Sequence, residues 1–168
     1  MMDTESASVV LREAVPEDLA SIATIYNRFV LQSTCTFATE PPDAMYWQAW
    51  YESHSDPFAA IVAVRGTDVV GWGTLSQWNS RCAYRYTAED SVYIRHDCHR
   101  CGIGSRLLAE LIRVAGEKGF RTVLAQIADD QEPSKVLHAR HGFRQVGVLR
   151  GVGFKFGRWL DVGLWQLE

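Results

Sequence analysis

The stretch of this chain best suited to chemistry is Ser91-Val-Tyr-Ile-Arg-His-Asp-Cys-His-Arg-Cys-Gly102-Ile-Gly104-Ser105: an apolar strand pattern, a connection with two glycines, and the start of an amphipathic helix. The first N–H groups of a helix have no intrahelical acceptor and sit at the positive end of its dipole, and glycines let a ligand's oxygens approach them. The pattern therefore describes an anion site whose natural ligand is a pyrophosphate. Two glycines before a helix are also ordinary turn chemistry. The loop lacks the Gly-Lys-Ser/Thr ending of a nucleoside-triphosphate loop, and the third glycine and later acidic residue of a dinucleotide fold. His96, Cys98, His99 and Cys101 offer a second chemistry, because Cys98 and Cys101 have the spacing of half a zinc site. A closed site needs about four ligands, and the remaining Cys35 and Cys82 are not paired at ligand spacing. A small zinc-binding module using Cys98 and Cys101 is thus the weaker alternative. A redox Cys-x-x-Cys would open a helix early in a βαβ unit without glycines behind it.

Those residues need elements to hold them. Residues 91–95 read as the strand feeding the loop, and 102–118 as the strongest helix, with Ile103, Leu107, Leu108, Leu111, Ile112 and Ala115 on one face and Gly119 as its stop. Upstream, 9–12 is a short apolar strand. Pro16, Glu17 and Asp18 open a helix carrying Leu19, Ile22, Ile25, Tyr26 and Phe29 at helical spacing, its acids at the positive end. Residues 33–40 read as loop; Pro41-Pro42 stop the chain and Asp43 caps a second helix with Trp47 and Trp50. Strands at 59–64 and 69–77 flank Gly66-Thr67-Asp68, which favours an antiparallel hairpin. After the strong helix come a strand at 122–128, a short helix at 133–140, and two closing strands around 143–149 and 162–167. This order, βα(α)βββαβαβ(β), is an α/β sandwich with mixed strand pairing.

The composition agrees with a folded chain. Its 168 residues at 18.9 kDa include 47% hydrophobic and 22% charged residues, enough for one core and too balanced for a disordered or fibrous protein, so 1–168 is read as a single domain. The net charge is −3 and the 17 basic residues are scattered, without the basic stripe of a nucleic-acid or anionic-membrane binder. No run approaches the ~18 apolar residues of a membrane span, and the opening MMDTESAS carries carboxylates where a signal peptide carries a basic region. A cytoplasmic protein with Cys35, Cys82, Cys98 and Cys101 reduced is the expectation.

Several stretches taken together carry a resemblance: Ala23-Thr-Ile-Tyr-Asn27, Thr36-Phe-Ala-Thr-Glu40, Glu89-Asp-Ser-Val-Tyr-Ile94, Gly102-Ile-Gly104, Leu137-His138 with Gly142-Phe143, and Gly153-Phe-Lys-Phe-Gly-Arg-Trp-Leu-Asp161. Over nearly its whole length the chain resembles the GNAT superfamily of acetyl-CoA-dependent N-acetyltransferases, and within it the phosphinothricin and methionine sulfoximine acetyltransferase branch. The resemblance implies a mixed, mostly antiparallel sheet of about seven strands flanked by about four helices. It implies direct transfer of acetyl from acetyl-CoA to the primary amine of a small amino acid or analogue, without a metal. A non-catalytic acyl-CoA-sensing domain is the alternative.

By the same resemblance, Arg100, Cys101, Gly102, Ile103, Gly104 and Ser105 offer backbone amides to the coenzyme A pyrophosphate, and Val92, Tyr93 and Ile94 pair with the pantetheine arm in strand fashion. Gln131 and Ser134 take further cofactor positions; Gln131 stands where the family commonly has Asn, and His99 where it has Gln or Arg. Glu89 occupies the position of the proposed base, acting directly or through one water; the plainer reading is a solvated carboxylate at a strand start. The N–H of Tyr93 or a neighbour is the expected oxyanion donor. His138, four residues after Ser134, is either an acid for the leaving thiolate, a pantetheine contact, or a helix-face histidine packed beside the core. Trp78 and Arg85 match acceptor-pocket positions, Arg85 as a two-pronged donor to an α-carboxylate. Plain packing and a surface ion pair are the competing readings. Asn79 follows Trp78 where some relatives have Arg, and Phe37 and 152–156 are further candidate walls. The branch implies a homodimer, which would give some of the six tryptophans an interface to bury.

Overall fold

A computed structural model of the chain describes residues 8–168, and most of the opening stretch weighed above as a signal peptide lies outside them. Strands β1 (Val9–Glu13), β2 (Ala59–Arg65), β3 (Asp68–Gln77), β4 (Thr87–Ile94), β5 (Thr122–Ala128), β6 (Arg144–Lys155) and β7 (Arg158–Leu167) form one sheet in the order β1-β2-β3-β4-β5-β7-β6. Every neighbouring pair is antiparallel except β4–β5, which is parallel and pairs only Thr87–Glu89 with Thr122–Leu124. Beyond Glu89 the two strands part.

Helices α1 (Leu19–Gln32) and α2 (Ala44–Ser53) cover one face of the sheet, and α3 (Ile103–Glu117) and α4 (Glu132–Arg140) the other. The period-two alternation of β4 serves both: Ala88, Val92 and Ile94 join the α3 core with Leu107, Leu108 and Leu111, whereas Tyr93 joins the α1/α2 core with Ile22, Trp47 and Trp72. Close approach of α3 depends on Gly71 and Gly73 in β3. A Cβ on Gly73 would lie 2.9 Å from both Leu111 Cδ1 and the Ser91 carbonyl oxygen. Among the described residues, no helix is long and apolar enough to cross a membrane.

Several boundaries differ from the sequence expectation. The strand read at 91–95 starts at Thr87, so Glu89 lies inside β4 and not ahead of it. The closing strands are longer than expected and join in a hairpin through Phe156 and Gly157, both at positive φ. Pro16–Asp18 is a 3₁₀ turn preceding α1, and the Asp18 carboxylate is held by Arg12 at 2.6 and 2.9 Å and by the Val15 N–H at 2.9 Å. It serves a local ion pair more than the α1 dipole. Asp43 does cap α2, accepting from the Tyr46 N–H at 2.8 Å. The loop at 33–40 is pinned from the far end of the sheet: Lys155, 4% exposed, donates to the carbonyls of Ser33 and Thr36, both at 2.7 Å.

Candidate active site

The parting of β4 from β5 creates the site. The Arg95 N–H donates to the Val70 carbonyl at 2.9 Å, which fixes the phase of the β3–β4 ladder. Backbone groups of Ser91, Tyr93 and Arg95 therefore face β3, while those of Val92 and Ile94 face the gap. Of the expected strand donors, Tyr93 is thus turned away, and its two neighbours present their amides. At one end the His99 Nε2 hydrogen-bonds the Ile94 carbonyl at 2.9 Å, with its ring stacked on Phe29.

The glycine loop ends beside this gap. Gly102, at φ +75°, and Arg100, at φ +61°, turn the chain into α3, and a Cβ on Gly102 would meet nothing within 4 Å. The first intrahelical bond runs from the Arg106 N–H to the Gly102 carbonyl at 3.2 Å, and no side chain caps the end among the described residues. The amides of Ile103, Gly104 and Ser105 are left as donors at the positive end of a fifteen-residue helix. That donor set fits a pyrophosphate. The Ser105 hydroxyl itself is engaged with His141 Nε2 at 2.8 Å.

Adjacent carboxylates straddle the sheet where the gap opens. Glu89 faces α1 and α2, half-buried, and accepts from Gln126 Nε2 at 3.0 Å. Burial lifts its carboxyl above the usual carboxylate range; the Gln126 hydrogen bond opposes this and the Asp90 charge adds to it. The shift makes Glu89 a stronger proton acceptor than an ordinary carboxylate. Asp90 faces the other way and is 5% exposed, its Oδ2 3.0 Å from His138 Nε2. The His138 Nδ1 lies 2.8 Å from the Ser134 carbonyl, so both ring nitrogens have acceptors, and the ring packs edge-on against Phe143. Burial works against a charged ring, but the Asp90 carboxylate and Ser134 carbonyl outweigh it and raise the His138 pKa. Asp90 Oδ1 is buried without a partner among the described residues.

On the Glu89 face lies a cavity of about 260 Å³ between α1, α2, β3 and β4. Tyr26, Tyr46, Trp47, Trp50, Trp72 and Tyr93 wall it. Its polar lining is Thr74, Ser76, Ser91 and His54, and Ser76 is the register partner of Glu89. His54 receives the Ser76 hydroxyl at 2.8 Å on Nε2 and donates from Nδ1 to the Trp50 carbonyl at 2.6 Å. A larger cavity of about 610 Å³, lined by Glu13, Tyr51, Asp56 and Lys118, lies beyond His54 and away from Glu89.

The remaining sequence candidates are dispersed. Trp78, Asn79 and Arg85 lie in the β3–β4 connection outside the cavity wall; the exposed Arg85 guanidinium covers the Tyr86 ring at 4.5 Å and donates to the Cys82 carbonyl at 3.3 Å. Phe37 packs against Gly153, where a Cβ would come within 2.1 Å of its ring, which joins it to the 152–156 segment. Gln131 donates to Thr34 Oγ1 at 2.7 Å and so braces the α1–α2 loop, and Ser134 contributes its carbonyl to His138. Cys98 is buried and Cys101 exposed, and among the described residues no group of three or more His, Cys, Asp or Glu is placed to hold a metal ion. Sequence reasoning missed Gln126, Asp90 as the partner of His138, and the cavity. A lone glutamine in the otherwise apolar Thr-Val-Leu-Ala-Gln-Ile-Ala strand was the available signal for the first.

The sequence pattern of the acetyltransferase (GNAT) domain matches residues 11–164. The chain is 36% identical to a phosphinothricin N-acetyltransferase from Streptomyces viridochromogenes, across 99% of this chain and 91% of that one. It is 35% identical to an L-methionine sulfoximine/L-methionine sulfone acetyltransferase from Pseudomonas aeruginosa, across 96% and 95%. A crystal structure of a GNAT superfamily phosphinothricin acetyltransferase from Sinorhizobium meliloti in complex with AcCoA superposes with a TM-score of 0.90 at 35% identity, covering 95% of this chain and 87% of that one.

Proposed function

Because the chain belongs to the GNAT acetyltransferase family, we propose that it moves the acetyl group of acetyl-CoA to the primary amine of a small amino acid or analogue, of the phosphinothricin or methionine sulfoximine kind. One observation carries the reading: the gap-facing amides of Val92 and Ile94, the open N-terminus of α3 and the half-buried Glu89 converge where β4 leaves β5. In this assignment the amides of 100–105 hold the pyrophosphate and those of Val92 and Ile94 hold the pantetheine arm and the thioester oxygen. Gln131, at the N-cap of α4, and Ser134, in its first turn, are assigned to the cofactor side.

Glu89 takes a proton from the acceptor's ammonium group. The freed amine nitrogen attacks the thioester carbonyl, the N–C bond forms and the C–S bond breaks, the nitrogen gives up its second proton, and the departing thiolate is protonated by His138 or by solvent. Amide and free thiol are the products, with no acyl-enzyme between them. Arg85, Trp78 and Asn79 are assigned to the acceptor's α-carboxylate side and Phe37 to its outer wall. The protein acts in the cytoplasm as a homodimer, its contact formed by the outer face of β6 and β7, where Val146, Val152, Phe154 and Trp159 are exposed.

The decisive experiment couples calorimetry of acetyl-CoA with thiol release over a panel of amino acids and analogues that includes phosphinothricin and methionine sulfoximine. Binding followed by amine-dependent thiol release is expected. Binding without release for any amine would leave an acyl-CoA-sensing domain, and no binding would end the proposal.

A further inference from the structure

The last turn of α4 touches both halves of the acetyl-donor site. A Cβ at Gly104 would lie 3.5 Å from Leu137 Cδ2, so Leu137 packs on the first turn of α3. His138 hydrogen-bonds Asp90 of β4, the residue just past the final β4–β5 rung. His141, three residues further on, holds the Ser105 hydroxyl at 2.8 Å. One turn of helix thus joins the strand bearing the Val92 and Ile94 amides to the helix end bearing those of Ile103, Gly104 and Ser105.

Asp90 makes that junction an ion pair. Its carboxylate is buried, no Arg or Lys bonds it among the described residues, and Oδ1 has no partner there, which leaves His138 to offset the charge. The ring lies between two acceptors, Asp90 Oδ2 and the Ser134 carbonyl, and satisfying both takes two N–H groups. The imidazolium meets both demands, and the raised His138 pKa agrees with it. Resting on the acetyl-transfer reading, we propose that Asp90 is a positioning residue for acetyl-CoA: its buried ion pair with His138 sets the spacing between the pyrophosphate amides of α3 and the pantetheine and thioester amides of β4. A ligand gripped at two ends gains from the second grip only where the spacing matches it. Loosening the pair leaves each end able to bind and removes the gain.

Calorimetry tests this with acetyl-CoA and with ADP, which carries the pyrophosphate but no pantetheine arm. In Asp90→Asn the acetyl-CoA Kd should rise about tenfold or more while the ADP Kd stays within about twofold. His138→Gln keeps an N–H donor for Asp90 and should lose less acetyl-CoA affinity than His138→Ala. Nitrogen-15 NMR of the wild type reads the pair without requiring any variant to fold. At pH 6.5 the His138 ring should be doubly protonated in more than the roughly half expected of an unperturbed imidazole. A neutral ring or an unchanged acetyl-CoA Kd in Asp90→Asn overturns the assignment. Equal losses for acetyl-CoA and ADP overturn it as well, since they mark a pair that only supports the fold. Wild-type protein that fails to bind acetyl-CoA, with the ring doubly protonated, removes the acetyl-transfer reading and the positioning role with it, while leaving the ion pair itself in place.

Discussion

Glu89 and Asp90 are neighbours in sequence, yet strand alternation sends their carboxylates to opposite faces of the sheet, where one meets a glutamine and the other a buried histidine. Glu89 sits near its amide partner with its carboxyl pushed up by burial, so the acid limb of kcat/KM should fall above the usual carboxylate range. Glu89→Gln should abolish that limb and reduce kcat by roughly 10²- to 10⁴-fold, with acetyl-CoA affinity retained by calorimetry. For His138 the sign runs the other way. Its folded pKa is raised above the usual value of about 6.5, so the Asp90 pair contributes stability that is complete below that pH and lost as pH climbs through the raised value. The melting temperature of the wild type should therefore fall relative to Asp90→Asn as pH rises above about 6.5; a constant difference would show that the pair does not titrate there. Glu89 and His138 were both legible as residue types at matching positions. Their surroundings were not, because Gln126 and Asp90 reach them only through strand pairing and helix packing across long sequence separations.

Elements with strong periodicity were read closely: α3 and β5 appear at the expected residues because an apolar face and a β-branched run specify them locally. β4 starts four residues ahead of the sequence expectation, since Thr87, Glu89 and Asp90 are polar and take the strand state by pairing with β3. The final hairpin is longer than the sequence expectation because Gly147, Gly151 and Gly153 look like turn residues in isolation yet lie within β6. Gly153 instead makes room for Phe37, which anchors the α1–α2 loop alongside the two Lys155 hydrogen bonds. Gly153→Ala should cost about 1–3 kcal/mol in chemical denaturation through overpacking. The displaced loop should raise the acceptor KM more than it changes kcat.

At the scale of the whole molecule, both exposed borders of the sheet are strands, β1 and β6, and they are unequal. The β6–β7 border presents Val146, Val152, Phe154 and Trp159, each more than half exposed, with Phe154 and Trp159 packed together at 5.1 Å. The proposed homodimer would cover this apolar surface with a matching one from the second copy. Light scattering should give the mass of two chains for the wild type and of one chain for Trp159→Glu, with acetyl-CoA affinity unchanged; a monomeric wild type would refute the dimer. None of this surface was legible in the sequence beyond the excess of tryptophan, since exposure depends on which strand ends the sheet.

The early separation of β4 from β5 leaves a border inside the sheet. Along Ser91–Arg95, alternate amides belong to two different regimes: those of Ser91, Tyr93 and Arg95 are locked to β3, while those of Val92 and Ile94 open onto the crevice. Deuterium uptake in the free protein should therefore alternate residue by residue through the centre of the molecule, quick at Val92 and Ile94 and slow between them. Seating the donor's amide-bearing arm should flatten that alternation, registering occupancy of the crevice proton by proton.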